Sequence, residues 1–361
     1  MTMTYRERII KTFSCQETDR APFGVGLGFW PWGGAMERWK KESGIEDLNI
    51  YNYFGYEPAF ITPPAGMGPL PHFENKVIEE NDEFVISIDS RGITMRNRRD
   101  GESMPEWISH PIKNEDDWLK YKEERLQHRL DERTAGLDEF VENAAKTDAG
   151  VSVGYFPWGV FGTARDLLGA EEILIGFYTM PDLIFDIMET YMDLWLAIWG
   201  RIAEKIQIDH IHIWEDMAGK QGSLISMAMV EEFMMPQYDK VAAFARENNI
   251  PTISVDSDGL VDELVPTMMK HGVNGYLPFE VQAGNDIEVY RDKYPTLGIE
   301  GGLDKNALAR TKKDIDRELA KAERMLAKGG YIPGADHLIP PNVPWENWKY
   351  YCEELKRIIG V

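Results

Sequence analysis

The sequence predicts an α/β protein in which a parallel sheet closes into a (β/α)8 TIM barrel. Short apolar runs alternate with segments of helical periodicity from about residue 150 onward, as in a parallel sheet with crossover helices. A length of 361 residues suits eight such units with insertions, arranged as a single domain over 1–361. An open doubly wound sheet is the alternative, but no Gly-x-Gly-x-x-Gly pattern follows the first strand and no Walker pattern is present.

The first half of the chain departs from this simple alternation. A short amphipathic helix is predicted within 5–18, an extended segment over 21–29, and a glycine- and aromatic-rich loop at 30–34. Residues 76–98 contain short apolar runs separated by polar turns, which is typical of an antiparallel β-meander. We expect this meander to be an insertion in the barrel. Residues 114–146 are highly charged, and we expect them to form helices on the surface.

The second half carries the clearest alternation of strands and helices. A long helix is predicted over 181–207, and Pro236 is expected to kink a helix that Ser226 caps. A Thr-x-x-Asp capping pattern at Thr311 opens a later helix that ends at the Gly329-Gly330 pair. The predicted strands of this half lie at 150–155, 208–214, 250–255, 273–279, 297–299 and 331–332.

The composition excludes several classes of protein and constrains the chemistry of any site. Hydrophobic residues make up 43% of the chain, which is enough apolar surface for a folded core. A net charge of −22 disfavours binding to nucleic acid or anionic membranes, and no apolar run is long enough to span a bilayer. The charged N-terminus has no signal core, so we expect a cytoplasmic protein. With Cys15 and Cys352 as its two cysteines, the chain would hold a metal through Asp, Glu or His.

Carboxylates follow one predicted strand after another, at the positions where a parallel barrel places its reacting groups. A single residue of this kind is more often a helix N-cap, because acidic side chains favour helix starts. A series of them on consecutive strands indicates a functional rim instead. These residues are Glu215, Asp216, Asp256, Asp258, Glu280, Glu300 and Asp336.

Asp256 and Asp258 form the centre of the predicted site. Their i, i+2 spacing places both side chains on one face of an extended segment. Two carboxylates this close repel each other unless one takes up a proton or a cation neutralises them. They therefore indicate an acid/base site, with Glu215 and Glu280 as further catalytic groups, or a metal site. For a divalent ion such as zinc, the expected ligands are Asp256, Asp258, His337 and Glu215.

Aromatic side chains in Gly/Pro loops accompany these carboxylates. The tripeptide Pro-Trp-Gly occurs at 31–33 and again at 157–159. Such aromatics indicate a pocket for a flat or apolar ligand, although plain loop packing is the alternative. His210 and His212 alternate in one predicted strand, where ordinary packing is as good an explanation as function. The expected substrate-binding residues are Trp30, Trp32, Trp158, Trp214 and Asp336.

The order of these motifs resembles the uroporphyrinogen decarboxylase-like superfamily, in the branch of the corrinoid-dependent methyltransferases. The resemblance covers nearly the whole chain and is strongest over 208–345. It implies a (β/α)8 barrel with its site at the C-terminal mouth. The motifs that carry it are Glu-Asp-Met-Ala-Gly-Lys at 215–220, Val-Asp-Ser-Asp-Gly at 255–259, Leu-Pro-Phe-Glu-Val-Gln-Ala-Gly at 277–284, Gly-Gly-Leu-Asp-Lys at 301–305 and Gly-Gly-Tyr-Ile-Pro-Gly-Ala-Asp-His-Leu-Ile-Pro-Pro at 329–341.

The sequence also departs from both groups that it resembles. The arginine-rich segment with which the decarboxylases grip their acidic substrate is replaced by residues 28–34, which contain no arginine. Asp256 and Asp258 stand where the thiol-activating methyltransferases carry His and Cys, and Ala335 or its neighbour stands near their last Cys. A site without thiolates is better suited to act on an ether oxygen or an amine-like leaving group.

Together these features predict a methyltransferase that moves a methyl group from a small, methylated, methoxy-aromatic substrate to a corrinoid cofactor. The resemblance implies that a separate corrinoid-binding protein carries this cofactor, and the predicted ligands indicate a divalent metal such as zinc in the chain itself. A homodimer is the expected assembly. The alternatives are a uroporphyrinogen decarboxylase-type enzyme for a tetrapyrrole or smaller acid, a glycosidase-like enzyme with paired carboxylates, and a non-catalytic ligand-binding protein.

Overall fold

The chain is described by a computed structural model that covers residues 3–58, 60–99 and 104–361. Its α-helices are α1 (Tyr5–Phe13), α2 (Gly33–Ser43), α3 (Ile50–Phe54), α4 (Glu115–Arg125), α5 (Leu130–Arg133), α6 (Leu137–Ala144), α7 (Val160–Leu168), α8 (Ala170–Thr179), α9 (Pro181–Ala203), α10 (Met227–Met229), α11 (Met235–Glu247), α12 (Leu264–Lys270), α13 (Ile287–Lys293), α14 (Lys312–Lys328) and α15 (Trp345–Ile359). Among these residues, no helix is long and apolar enough to cross a membrane.

The strands form a parallel sheet and a smaller antiparallel sheet. They are β1 (Phe60–Ile61), β2 (Lys76–Glu80), β3 (Phe84–Ile88), β4 (Thr94–Arg98), β5 (Glu106–Ser109), β6 (Gly150–Val153), β7 (His210–Trp214), β8 (Ala218–Gly219), β9 (Gly222–Ser223), β10 (Thr252–Asp256), β11 (Gly275–Leu277), β12 (Gly298–Glu300) and β13 (Tyr331–Ile332). Seven of them make the parallel sheet, in the order β1-β6-β7-β10-β11-β12-β13, and β8 and β9 form a short hairpin.

The antiparallel sheet lies between β1 and β6 in the sequence and has the order β2-β3-β4-β5. Residues 76–98 supply its first three strands, and Glu106–Ser109 adds a fourth strand beyond the range in which the meander was expected. Helices α4, α5 and α6 follow within the charged segment 114–146. The insertion therefore separates the first strand of the parallel sheet from the second by almost ninety residues.

The parallel sheet is curled, because its two edge strands meet the same apolar cluster. Phe60 of β1 and Ile332 of β13 both pack with Ile9, Phe13 and Val25. These two strands are at opposite edges of the sheet order, so contact with one cluster requires the sheet to bend round on itself. This arrangement is a half-barrel compatible with the predicted TIM barrel.

The described residues contribute seven strands to this sheet, one fewer than predicted. The missing strand corresponds to the segment 21–29, which was expected to be extended. Gly24 and Gly26 adopt φ values of +73° and +91°, outside the range of a regular strand, and Leu27–Phe29 form a 3-10 turn. A ladder of strand hydrogen bonds cannot form across such a backbone.

The helices pack on the outer face of the sheet through a large apolar core. The long helix α9 buries Ile187, Trp195 and Trp199. Other predicted features of the helices also form: Thr311 and Asp314 make a capping box at the start of α14. A π-helical turn over Val230–Met234 lies immediately before α11, where Pro236 lacks the N–H that would continue an α-helical ladder.

Candidate active site

The carboxyl ends of the parallel strands bring the acidic side chains to one end of the curled sheet. β10 ends at Asp256, which lies in register with Trp214 of β7 and Leu277 of β11. β12 ends at Glu300, in register with Ile332 of β13. Parallel strands that end in register share an edge, so the loops that follow them meet there. We call this end the mouth; it is formed by residues 214–220, 256–259, 278–284, 300–305 and 333–339.

Asp256 is the more deeply placed carboxylate of the central pair. Its side chain is 15% exposed, and its Oδ2 lies 3.8 Å from Nε2 of His212. Burial raises the pKa of Asp256 well above its usual range, and the neighbouring carboxylates of Asp258 and Glu300 raise it further. Burial also lowers the pKa of His212 to about 4. Both shifts favour the uncharged form of the side chain, the carboxylic acid of Asp256 and the neutral imidazole of His212.

Asp258 lies closer to the surface, with 33% of its side chain exposed. Its Oδ2 is 3.4 Å from Nε2 of His337, in the loop after β13. Its Oδ1 is enclosed and has no hydrogen-bond partner among the described residues. An enclosed carboxylate oxygen without a donor is unfavourable, so the position of Asp258 at the mouth lowers the stability of the fold.

A column of polar side chains descends from Asp256 into the interior of the sheet. Ser254 Oγ contacts both His212 Nδ1, at 3.3 Å, and His210 Nε2, at 2.7 Å. His210 Nδ1 in turn lies 3.0 Å from Ser152 Oγ. The alternation of His210 and His212 in the sequence was the signal for this column, but the sequence does not show that Ser254 joins them across two strands.

Two further carboxylates of the mouth are paired with cations. Glu280 Oε1 accepts a bond from Lys305 Nζ at 3.0 Å, and its Oε2 accepts one from the Gly259 N–H at 3.2 Å. Asp216 Oδ2 lies 3.1 Å from Arg165 Nη1. Glu280 was predicted as a catalytic residue, and the structure places it at the mouth in an ion pair.

Glu300 faces the segment that replaces the missing strand. Its Oε1 accepts a bond from the Leu27 N–H at 3.2 Å, and a side chain on Gly26 would collide with it. Burial raises the pKa of Glu300 to about 7, although the bond from Leu27 lowers it. This residue was not singled out from the sequence beyond its place on the rim.

Glu215 has a different setting from the one predicted. It is fully buried, Oε1 accepts bonds from the Val160 N–H and the Tyr238 hydroxyl, and Oε2 accepts from the N–H groups of Phe161 and Gly162. The side chain therefore anchors the start of α7, where helix N–H groups lack partners. Burial raises the pKa of Glu215 while these bonds oppose the rise. Its oxygens are occupied, so it is not placed as a metal ligand or a free catalytic group.

Asp336 is a second buried anchor. It has no exposed surface, and its two oxygens accept bonds from the N–H groups of Val281, at 2.8 Å, and Lys305, at 2.9 Å. These contacts tie the loop after β13 to the loops after β11 and β12. Substrate binding by Asp336 stays a prediction, and protein N–H groups already occupy its carboxylate oxygens.

The predicted aromatic residues divide into two groups. Trp30 is 50% exposed and its carbonyl accepts a bond from Ile339, two residues beyond His337. Trp214 contacts the 61%-exposed Phe156 edge to face, with the ring centroids 4.7 Å apart. The loops that carry Trp30 and Phe156 therefore lie at the rim of the mouth.

The other two tryptophans are placed differently. The ring of Trp158 packs against Tyr191 and Trp195 of α9, and its stacking on substrate stays a prediction. Trp32 is the N-cap residue of α2, and its N–H donates to the Ile339 carbonyl. This bond fixes the loop that carries Trp30.

The predicted metal ligands are not assembled as a set. Within residues 3–58, 60–99 and 104–361, no group of three or more His, Cys, Asp and Glu side chains is arranged to hold a metal ion. Asp258 and His337 are within 3.4 Å of each other, but Glu215 is occupied elsewhere. The proposed set of four therefore does not fit a zinc ion as it stands.

The comparison of the sequence with family models identifies the family. The model for uroporphyrinogen decarboxylase (URO-D) matches residues 86–358, which is most of the chain. The chain belongs to the uroporphyrinogen decarboxylase family. None of the curated proteins that were compared with this chain matches it.

Solved structures support the fold of this family member. A methyltransferase from Methanosarcina mazei has a TM-score of 0.62 at 18% identity, covering 98% of this chain and 99% of its own. At that identity the likeness shows the fold alone. A glycosylated endo-beta-1,4-xylanase from Gloeophyllum trabeum has a TM-score of 0.32 at 12% identity, over 60% of this chain and 79% of its own, which is too weak to bear on fold or activity.

Proposed function

We propose that this member of the uroporphyrinogen decarboxylase family is a methyltransferase that takes a methyl group from a small methylated donor. The observation that carries the proposal is the pair Asp256 and Asp258 at the mouth of a curled parallel sheet, the first buried with a raised pKa and the second with 33% of its side chain exposed. The likeness in fold to a methyltransferase of almost equal length supports it.

The pair suits the departure of a leaving group from a methyl carbon. When the carbon–heteroatom bond breaks, its electron pair stays on the leaving oxygen or nitrogen. A protonated Asp256 can supply a proton to an oxygen, as for the methoxy-aromatic donor expected from the sequence. An ionised Asp258 can instead hold a positive charge that the leaving nitrogen already carries. Both roles use side chains that face the same mouth.

The methyl acceptor is proposed to be a corrinoid carried by a partner protein. A reduced corrinoid supplies a nucleophile for the methyl carbon, and no residue of this chain is assigned to hold it. The open mouth, with the half-exposed Trp30 and Phe156 at its rim, leaves the donor reachable from outside. We also propose that residues 21–29 occupy the place of the eighth strand of a TIM barrel, because Val25 packs in the apolar cluster that both edge strands contact.

The expected zinc ion stays a prediction. The predicted ligand set that includes Glu215 is not arranged around one ion, so no chemical step is assigned to a metal. Asp258 and His337 would be its first ligands, and a further donor would have to come from a residue outside the predicted set or from the substrate. Metal analysis of the purified protein tests this prediction.

Decarboxylation of a tetrapyrrole or a smaller acid is the second candidate, and it rests on the family alone. The charges at the mouth count against it. Arg165 and Lys305 are each already paired with a carboxylate, and residues 28–34 carry no arginine. A substrate with several carboxylates would meet Asp256, Asp258 and Glu300 without a free cation to balance it.

A methyl-transfer assay tests the proposal. Purified protein is mixed with a corrinoid-binding protein in its reduced state and a panel of 13C-methyl-labelled ethers and amines, and label transfer is followed by NMR. We expect transfer from at least one donor, lost in the Asp256→Asn variant. Absence of transfer from the whole panel, together with release of carbon dioxide from uroporphyrinogen, would establish the decarboxylase alternative.

A further inference from the structure

The antiparallel sheet has an edge strand that is open to solvent along its whole length. All five residues of β2 are exposed, including the aliphatic side chains of Val77 and Ile78, at 53% and 54%. Within the described residues, β2 pairs with β3 alone, so N–H and C=O groups along its other edge are unpaired. An edge of this kind is a template for a further strand, and exposed aliphatic side chains on it mark an interaction surface.

This edge carries a positive and a negative side chain on the same face of the sheet. Lys76 lies opposite Ile88 of β3, and Glu79 lies opposite Ile86. Because Ile86 and Ile88 are two residues apart, they and the residues opposite them share one face. In the part of the chain that the structure describes, neither Lys76 nor Glu79 forms an ion pair. Both charges are therefore available to a partner.

The edge of β2 is complementary to itself when two copies of the chain meet antiparallel. A two-fold axis perpendicular to the sheet joins like faces, so side chains of one face meet side chains of the same face. One register places Lys76 of each copy opposite Glu79 of the other. The same register places Val77 of each copy opposite Ile78 of the other. Four residues thereby form two ion pairs and two aliphatic contacts across the axis.

Other ways of adding a strand to this sheet lack the same complementarity. A shift of the register by one residue would bring Lys76 opposite Glu80, but Arg99 already holds Glu80 at 2.6 Å. At the opposite edge of the sheet, β5 contains no lysine or arginine, and its Glu106 is already paired with Arg96 at 2.7 Å. The distribution of charge therefore favours β2, and a single register of it.

We propose that the exposed edge of β2 is the interface of a homodimer, in which two β2 strands pair antiparallel and join their sheets. Lys76 of each copy pairs with Glu79 of the other. The bulge at Ile78 interrupts the regular ladder between β2 and β3, so main-chain bonds across the interface are few and side chains decide the affinity. The interface is small, and we expect a Kd on the order of 10 μM. This assembly does not depend on the proposed methyltransferase function.

Sedimentation velocity of the full chain tests the assembly. The measurement covers about 1–200 μM protein, which brackets the expected Kd. It uses about 0.15 M salt, which screens the long-range repulsion between two chains of net charge −22 and affects close ion pairs less. We expect the weight-average mass to rise with concentration from that of one chain toward that of two. The mass of a single chain at every concentration would overturn the proposal.

Charge reversal at the two positions tests the register. Lys76→Glu places like charges opposite each other at both pairs, and so does Glu79→Lys. Each variant alone should dimerise at least about tenfold more weakly than the wild type. In an equimolar mixture of the two variants, the glutamates of one chain lie opposite the lysines of the other. We expect this mixture to form a heterodimer with the affinity of the wild-type homodimer, which also shows that both variants are folded.

Two control variants change the net charge by the same amounts at other exposed positions. Lys41→Glu lies on α2 and Glu46→Lys lies just after it, and both should dimerise as the wild type does. Dimerisation of Lys76→Glu with wild-type affinity would place the interface elsewhere and overturn the proposal. Failure of the mixed variants to associate would contradict the antiparallel register and overturn it as well. None of these measurements uses a methyl donor or acceptor, so their outcome is independent of the proposed function.

Discussion

The two ends of the parallel sheet differ in the polarity of the side chains that cover them. At the N-terminal end, Phe13 of α1 packs against the rings of Phe60 and His210, and lies against Gly275 and Gly298 at the first positions of their strands. At the C-terminal end, carboxylates and half-exposed aromatic rings surround an open mouth. Apolar side chains exclude water from the N-terminal end, whereas acidic side chains gather at the C-terminal end.

Residues at the N-terminal end of the sheet therefore contribute mainly to stability, and residues at the C-terminal end contribute mainly to function. The apolar packing around Phe13, which we call the plug, stabilises the fold through burial and does not require a bound ligand. Buried carboxylates lower stability, so their presence at one end is explained by what they do there. Substitutions at the two ends should therefore affect different measurements, and the predictions below are ordered from the largest expected effect to the smallest.

The mouth is tested most strongly by Asp256→Asn. The substitution keeps the shape of the side chain and removes its titratable carboxyl group, so kcat/KM for methyl transfer should fall by about a hundredfold or more. If Asp256 donates a proton, the loss lies in kcat, whereas if it holds a cation, the loss lies in KM. Steady-state kinetics separates the two. Unchanged kcat/KM would remove Asp256 from the site.

The plug is tested by Phe13→Ala. The buried ring contacts strands at both ends of the sheet order, so we expect the free energy of unfolding to fall by about 3–5 kcal/mol, measured by urea denaturation. The kcat of the folded fraction should stay within about threefold of the wild type. Tyr178→Ala, at a 76%-exposed position on α8, is the matched control and should change stability by less than about 0.5 kcal/mol. A large loss of kcat in Phe13→Ala would show that the two ends are not independent.

Glu300→Gln tests the unfavourable burial of charge at the mouth. The folded pKa of Glu300 is about 7, above its ordinary value of 4.5, so the folded state binds the proton more tightly. The resulting stabilisation is complete below about pH 4.5 and is lost as the pH rises through about 7. Between pH 4.5 and pH 8, wild-type stability should therefore fall by about 3 kcal/mol more than that of the variant. Parallel stability curves for the two proteins would contradict the assigned burial.

The smallest effect separates the two groups of tryptophans. Trp30→Ala should raise the KM for the methyl donor about threefold, since one aromatic contact contributes about 0.5–1.5 kcal/mol. Trp158→Phe should leave that KM unchanged and lower the melting temperature, because the ring packs against α9. The opposite pattern would restore Trp158 to the site and remove Trp30 from it.

The outcome for individual residues shows which features of the fold a sequence contains. The strand at Tyr331–Ile332 and the cap at Thr311 were predictable, because local spacing and side-chain chemistry determine them. The strand expected over 21–29 was wrong, because an extended pattern does not reveal that Gly24 and Gly26 adopt positive φ.

The site was predictable to a similar extent. The position of Asp256 and Asp258 at the mouth followed from strand ends alone. The anchoring role of Glu215 was hidden, because three of its four donors are N–H groups of α7, more than fifty residues away in sequence, and the fourth is the hydroxyl of Tyr238. Sequence patterns place a carboxylate on a rim, but they do not show whether protein donors already occupy it.

The most direct test of the account is methyl transfer from a panel of 13C-methyl-labelled ethers and amines to a reduced corrinoid-binding protein, followed by NMR in the presence of wild-type protein or Asp256→Asn. The account predicts that label leaves at least one donor with the wild-type protein, and that the variant slows this transfer about a hundredfold or more. Transfer at equal rates with both proteins, or no transfer from any donor, would contradict the account.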